Sequence, residues 1–362
     1  MTSGAMSDSI QSQRTGNGFF GATECFIFQV AINNSCPHKV LNFHQRLLIK
    51  ATAIVIPRLN RFWETWLTQE NTFVDLFAGI GGFHLACHFA AKDAPLRKRS
   101  KCVFACEINE KARVTYTNYF RNIEPSLFKN KKFAYDITKV DPRSIEDFKL
   151  LCAGFPCQPF SQAGKKLGFR DIRGTMFSYI RDIIETKAPD AIFLENVKFI
   201  KNHDSGQTFA TIKNVLEKEL HYKMRYFDVR ASDHGLPQHR PRVFMIGFRD
   251  HGVKFEAPEK RKLELNMSNV FGAQVDREIG LTLRVGGKKS PISDRRNWDG
   301  YLVNGIERRL TSKEAKIMQG FPDDFEFPVS ESEAMRQLGN SVAVNAVQDY
   351  VSKIFSALSI KR

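Results

Sequence analysis

With 362 residues and 42% apolar side chains, the chain can bury a full core, which excludes a disordered tail and allows one large domain plus a smaller one. A net charge of +15 and a pI near 9.5 favour a polyanionic partner, nucleic acid before membrane. The longest apolar runs, Phe26 to Ile32 and Ala51 to Pro57, are too short to cross a bilayer, and seven cysteines with no CxxC pair or zinc-ligand spacing point to a reducing cytoplasm and no structural metal.

In chain order, residues 1–70 differ in character from the rest. A polar, Gly/Ser-rich start gives way to short apolar patches and then to Arg58–Leu67, which reads as a short helix without evident chemistry. The start lacks the basic-then-apolar order of a secretion signal. From Asn71 strand and helix signals alternate: strands over Phe73–Phe77, Lys101–Cys106, Phe148–Phe155, Asp190–Glu195 and Arg242–Phe248, with a first helix over His84–Ala91. This predicts an α/β fold built on a doubly wound, mostly parallel sheet across 71–257. Residues 258–305 are polar and rich in Arg, Lys and Gly, and read as a small inserted module. The last part, 306–362, returns to the main domain, with a capping box at Thr311–Glu314 and a final helix from Ser341 to about Leu358.

The chemistry gathers at strand ends. Cys157 lies between Pro156 and Pro159, whose rings fix the backbone, so its thiol is either a rigidly placed nucleophile or a small buried hydrophobe. Gly79, Gly81 and Gly82 follow the first strand and either let a nucleotide-like ligand approach or make a tight strand–helix junction. The dinucleotide spacing GxGxxG is absent, which argues against a nicotinamide dehydrogenase. Glu107 is placed to accept from ribose hydroxyls and Asp136 from an adenine amine. Glu195, at an apolar strand end, is a candidate proton donor or else a helix cap. Gln238, Arg240 and Arg242 alternate and would share one face of an extended strand, as a fork of donors or as a solvated edge.

Taken together, the blocks Asp75–Phe83, Glu107–Asn109, Asp136–Ile137, Gly154–Ser161, Glu195–Val197, Gln238–Arg242, Arg309–Thr311 with Gln319–Pro322, and Gly339–Val342 resemble those of the DNA (cytosine-5)-methyltransferase family, in the family's order. The resemblance runs from about Asn71 to the C-terminus. It implies a methyltransferase fold that uses S-adenosylmethionine, with 258–305 as a target-recognition region. It assigns Cys157 as the nucleophile on cytosine C6, Glu195 as the acid or hydrogen-bond donor at N3, Arg242 as its orienting partner, and Arg240 to the loop or phosphates. A cofactor pocket of Phe77, Gly79, Ile80, Gly81, Gly82, Glu107, Ile108, Asp136, Ile137, Pro156, Met176, Asn340, Ser341 and Val342 follows from it.

DNA contacts are expected from a loop over Ser161–Gly174, carrying Lys165, Lys166, Arg170 and Arg173, and from Thr282, Arg284, Lys288, Lys289, Arg295 and Arg296, with Trp298 and Tyr301 supporting the recognition loops. The implied activity is methylation of a short duplex sequence by a monomer that flips the base, with a separate restriction endonuclease as companion and no membrane partner. The rival readings are an RNA cytosine methyltransferase of the same family, disfavoured because its Cys-Phe-Thr element is missing, and an inactive DNA-binding homologue, disfavoured by intact Cys157, Glu195 and Arg242.

Overall fold

Strands that are apolar on both faces belong in the middle layer of a fold, covered above and below by helices. The computed structural model, which describes residues 70–93, 99–156, 175–286 and 289–359, has this arrangement. Among the described residues a seven-stranded sheet runs in the order β3-β2-β1-β4-β5-β7-β6. Its strands are β1 (Asn71–Leu76), β2 (Ser100–Cys106), β3 (Phe133–Ala134), β4 (Leu150–Gly154), β5 (Ala191–Val197), β6 (Lys223–Arg230) and β7 (Pro241–Phe248). The first five pair in parallel, and β7 is antiparallel to both β5 and β6. Cys157, Ser161, Lys165, Lys166, Arg170, Arg173, Lys288 and the Arg58–Leu67 helix lie outside the described residues.

Period-two alternation sends Phe73, Leu150, Cys152 and Phe193 into one layer, with helices α1 (Gly82–Asp93) and α8 (Val344–Ser359). Val74, Leu76, Leu151, Ala153, Ile192 and Leu194 enter the other, against α3 (Met176–Lys187) and α4 (Gln207–Asn214). Helix α2 (Glu110–Phe120) starts where the Asn109 side chain accepts the Ala112 N–H at 2.9 Å. Glu314 accepts the Thr311 N–H at 2.9 Å, so α6 (Ser312–Gln319) begins at the expected capping box. The final helix starts later than expected, because Gly339 and Asn340 belong to α7 (Glu331–Asn340) and Ser341–Ala343 form a strap between α7 and α8. No helix of the described residues is long and apolar enough to cross a membrane.

The segment expected as a small inserted module is built onto the main core. Its elements are the short helix α5 (Met267–Phe271) and a hairpin of β8 (Gly300–Val303) with β9 (Ile306–Arg309). The hairpin turns through Asn304 and Gly305, both with left-handed backbone, which suits a two-residue turn. The expected boundary at 305/306 therefore falls inside a paired element. Met267, Phe271, Leu283, Trp298 and Tyr301 bury their side chains in the same core as α1 and α8, so this segment shares the main core.

Candidate active site

In an open α/β sheet, ligands bind outside the carboxyl ends of the strands where the strand order reverses. Here that point lies between β1 and β4. Being antiparallel, β7 brings its first residues to the same rim, with Arg242 in register with Val197. A cavity of about 660 Å³ opens there, lined by the turn after β1, the ends of β2, β4 and β5, the loop Thr282–Val285, and Gly339 with Asn340.

One half of the cavity is built by the turn after β1. Phe77 and Gly79 both adopt left-handed backbone. The Gly79 N–H donates to Glu107 Oε2 at 2.8 Å, and Glu107 Oε1 accepts the Asn109 N–H at 2.7 Å. Each carboxylate oxygen keeps a further lone pair, so Glu107 can still accept from a diol. Phe77, Ile80, Ile108 and Pro156 line the cavity as expected.

The glycines divide their work differently from the expectation. A Cβ at Gly79 would meet nothing within 4 Å, but at Gly81 it would strike the Phe120 ring at 2.2 Å, and at Gly82 it would strike Val342 at 2.6 Å and Ser341 Oγ at 2.9 Å. Gly79 therefore faces the cavity, while Gly81 seats the turn on α2 and Gly82 seats it on the strap. Ser341 and Val342 are buried in that seat, and exposed Asn340 reaches the cavity in their place. The substitution Gly82→Ala should lower unfolding stability by about 1–3 kcal/mol through overpacking, read as an earlier urea midpoint. An unchanged midpoint would show that the seat is not tight.

Three expected pocket residues sit elsewhere. Ile137 is buried in the second core layer, Met176 opens α3 and packs against that layer, and neither lines the cavity. Asp136 caps a short turn, accepting from the Thr138 N–H at 3.0 Å and the Thr138 hydroxyl at 2.8 Å. Those bonds hold its carboxyl below the usual range, so it is an ionised acceptor, and it is not part of the cavity's wall.

The other half holds the charged groups. Gly154 pairs in register with Glu195, and the Arg242 Nε meets Glu195 Oε1 at 2.7 Å with both side chains largely buried. Engaged in this pair, Glu195 caps no helix, and the 3-10 turn that follows it has no side-chain cap. Asn196, to which the sequence reading gave no role, donates to the Phe155 carbonyl at 2.8 Å. It thereby ties the end of β5 to the turn that leads through Pro156 to Cys157. Its place in the Glu-Asn-Val block was the available signal.

The expected fork of Gln238, Arg240 and Arg242 does not form. Arg240 has φ 28, which breaks the extended run, and the three side chains take separate partners. Gln238 donates to the Met318 carbonyl and accepts from the Leu283 N–H, each at 3.0 Å. Arg240 is 1% exposed and donates to the carbonyls of Leu283, Gly339 and Ser341. Burial pulls its pKa down. It steadies loops, as one expectation held, while its side chain lies buried in the wall of the cavity.

On the recognition side Thr282 and Arg284 line the cavity, and Arg284, Lys289 and Arg295 are exposed. Trp298 Nε1 donates to the Gly286 carbonyl at 2.7 Å, and the Tyr301 hydroxyl accepts the Leu281 N–H at 2.9 Å, so both hold this loop from beneath. Arg296 is not a free cation. It grips Asp294 at 2.7 Å and holds that carboxyl at about 2. Such an exposed pair is weak and can open.

Comparison with known proteins adds a second line of observation. A family model described as C-5 cytosine-specific DNA methylase matches residues 71–284 and 274–356. The type II methyltransferase M1.ScrFI of Lactococcus lactis subsp. cremoris is 36% identical over 331 residues, spanning 82% of this chain and 81% of that protein. M.HpaII of Haemophilus parainfluenzae is 35% identical, spanning 81% of this chain and 91% of its own length, and M.HhaI of Haemophilus parahaemolyticus is 33% identical, spanning 80% and 95%. Among solved structures, the Entamoeba histolytica methyltransferase EhMeth superposes with a TM-score of 0.61 at 19% identity over 80% of this chain and 99% of its own, a likeness of fold.

Proposed function

The chain belongs to the C-5 cytosine-specific DNA methylase family, and from that premise we propose that it carries a methyl group from S-adenosylmethionine to carbon 5 of a cytosine flipped out of a short duplex sequence. As a family member it is a DNA (cytosine-5) methyltransferase. The observation that carries the fuller reading is the Arg242–Glu195 pair at 2.7 Å, set in the wall of the same cavity as Gly79 and Glu107. The donors present fit the cofactor. Gly79 leaves open space, Glu107 keeps lone pairs for the ribose, exposed Ile108 offers an apolar face to the adenine, and Asn340 reaches in from the C-terminal side. When bound, S-adenosylmethionine supplies a methyl group on a sulfonium centre that departs as a neutral thioether.

The remaining chemistry falls to side chains. Carbon 5 of cytosine is a poor nucleophile until a sulfur adds at C6. Cys157 forms the S–C6 bond as a thiolate, and the C5–C6 π pair shifts toward C5. Glu195, held by Arg242, protonates or hydrogen-bonds N3 so that the ring accepts this addition. After C5 has bonded to the methyl carbon, loss of the C5 proton restores the double bond and expels Cys157 as thiolate. Covalent catalysis thus divides one hard step into easier ones. Base flipping costs a few kcal/mol. Lys165, Lys166 and Arg173, with Ser161, offset part of it at the phosphates, while Thr282, Arg284, Lys288, Lys289 and Arg295 read the duplex, Arg296 joining once released from Asp294.

Residues 258–303, resting on the main core, form the reading face, and 1–70 have no assigned part. We further propose that the protein acts as a monomer, in the cytoplasm of a bacterium, as the modification arm of a type II restriction-modification system with a separately acting endonuclease. The test is transfer of tritium from labelled S-adenosylmethionine to mixed duplex DNA, followed by bisulfite sequencing of DNA from an expressing host. Label in cytosine at one recurrent sequence is expected. A folded, cofactor-binding protein that labels no cytosine overturns the reading.

A further inference from the structure

Arg240 is a buried cation whose work the proposed chemistry does not use. Its hydrogen bonds go to carbonyls on two separate segments: Leu283 at 3.3 Å on the recognition loop, and Gly339 at 3.0 Å near the end of α7 together with Ser341 on the strap that follows it. The carboxylate nearest in charge, Glu195, is already taken by Arg242. Burying a charge among carbonyls is expensive, and an apolar side chain of similar volume would serve stability as well or better. What the guanidinium offers instead is a fixed fork of donors that joins segments far apart in sequence.

The two segments also touch directly. A Cβ at Gly339 would lie 2.8 Å from the Arg284 carbonyl oxygen and 2.9 Å from its carbon, so the loop packs backbone to backbone on the end of α7, which leads into the strap. The strap in turn occupies the space left by Gly82, which follows the cofactor turn. Gln238 holds the Leu283 N–H at 3.0 Å, and Gln319 holds the Leu338 carbonyl at 2.6 Å, so each side of the contact is fixed from behind. A continuous set of packed contacts, backbone to backbone between Arg284 and Gly339 and through the Ser341 and Val342 side chains at Gly82, therefore runs from the base-reading loop to the glycine turn.

We propose that Arg240 is a positioning residue that locks the recognition loop onto the cofactor strap, so that DNA and cofactor each strengthen the binding of the other. This inference rests on the function proposed above. Linkage makes the effect reciprocal, so it can be read from either ligand. The probe is S-adenosylhomocysteine, titrated calorimetrically into the full chain with and without a saturating duplex that carries the sequence mapped by bisulfite.

Wild type should bind the probe about fivefold tighter or more with DNA present. In Arg240→Met both ligands should still bind singly, but the enhancement should fall to about onefold, a complete loss of coupling. Arg240→Lys keeps the charge but not the fork, and it should fail to restore the enhancement. Gly339→Ala leaves Arg240 intact while prising the loop from the strap, and it should show the same loss. It decides the matter if the Arg240 variants do not fold. Wild-type enhancement in Arg240→Met or in Gly339→Ala overturns the proposal, as does a DNA-methylating wild type with no enhancement. If no sequence is methylated at all, it is the proposed function that fails.

Discussion

Cys157→Ala should lose methyl transfer to DNA by on the order of 10⁴-fold or more in kcat while still binding S-adenosylhomocysteine as wild type does. The reason is chemical. Without a sulfur bond at C6, no electron density builds at C5, and neither proximity nor base flipping replaces that activation. The residues proposed to hold the cofactor, Gly79, Glu107 and Asn340, come from the β1 turn, the end of β2 and the end of α7, none of which the substitution alters. Rapid-quench single-turnover transfer separates chemistry from binding. Residual turnover within about tenfold of wild type would mean that another group attacks the ring, or that no covalent step occurs.

The second large effect is expected at Glu195. Glu195→Gln keeps size and shape but can no longer deliver a proton to N3, and it leaves the Arg242 guanidinium largely buried without its carboxylate at 2.7 Å. The rate of the chemical step should fall by about 10²–10⁴, the usual range for a positioned acid. Stability should fall as well, because removing one partner of a buried pair strands the other charge. The two losses are separable. Urea denaturation reads the second, and single-turnover transfer under conditions where the variant is fully folded reads the first. A folded Glu195→Gln with wild-type single-turnover rate would remove Glu195 from the mechanism and leave its pair with Arg242 as architecture alone.

How far these residues could be read in advance depended on what kind of neighbour each needs. The strands β1, β2, β4, β5 and β7 were legible because each is an apolar run buried on both faces, and their ends gave the positions of Glu107, Gly154, Glu195 and Arg242 within a residue or two. The edge strand β6 was missed, since Lys223, Arg225, Asp228 and Arg230 interrupt its apolar residues, as suits an edge that must resist pairing with other chains.

Gly81 and Gly82 were recognised as necessary, but what fills the space of a missing side chain is a tertiary fact. Here Phe120 and Val342 fill it where a ligand was expected. The fork of Gln238, Arg240 and Arg242 failed because alternation presumes extended backbone, and Arg240 departs from it. Ile137 and Met176 came to the pocket by resemblance; Ile137 is buried in the core layer, and half-buried Met176 packs against it. The inserted segment read as a small module because its apolar residues are sparse. The reason they are sparse is that they share a core already built by the rest of the chain.

The bond between Cys157 and the pyrimidine ring is the claim on which the others depend, and one measurement addresses it directly. The full chain is incubated with S-adenosylmethionine and duplex DNA in which the mapped cytosine is replaced by 5-fluorocytosine, then denatured, digested and analysed by mass spectrometry. Fluorine cannot leave C5 as a proton does, so the protein should remain attached to the DNA, with the nucleotide's mass on the peptide that contains Cys157 and on no other cysteine peptide. A wild type that methylates ordinary DNA yet forms no adduct with the fluorinated duplex, or forms it at a residue other than Cys157, would contradict the account.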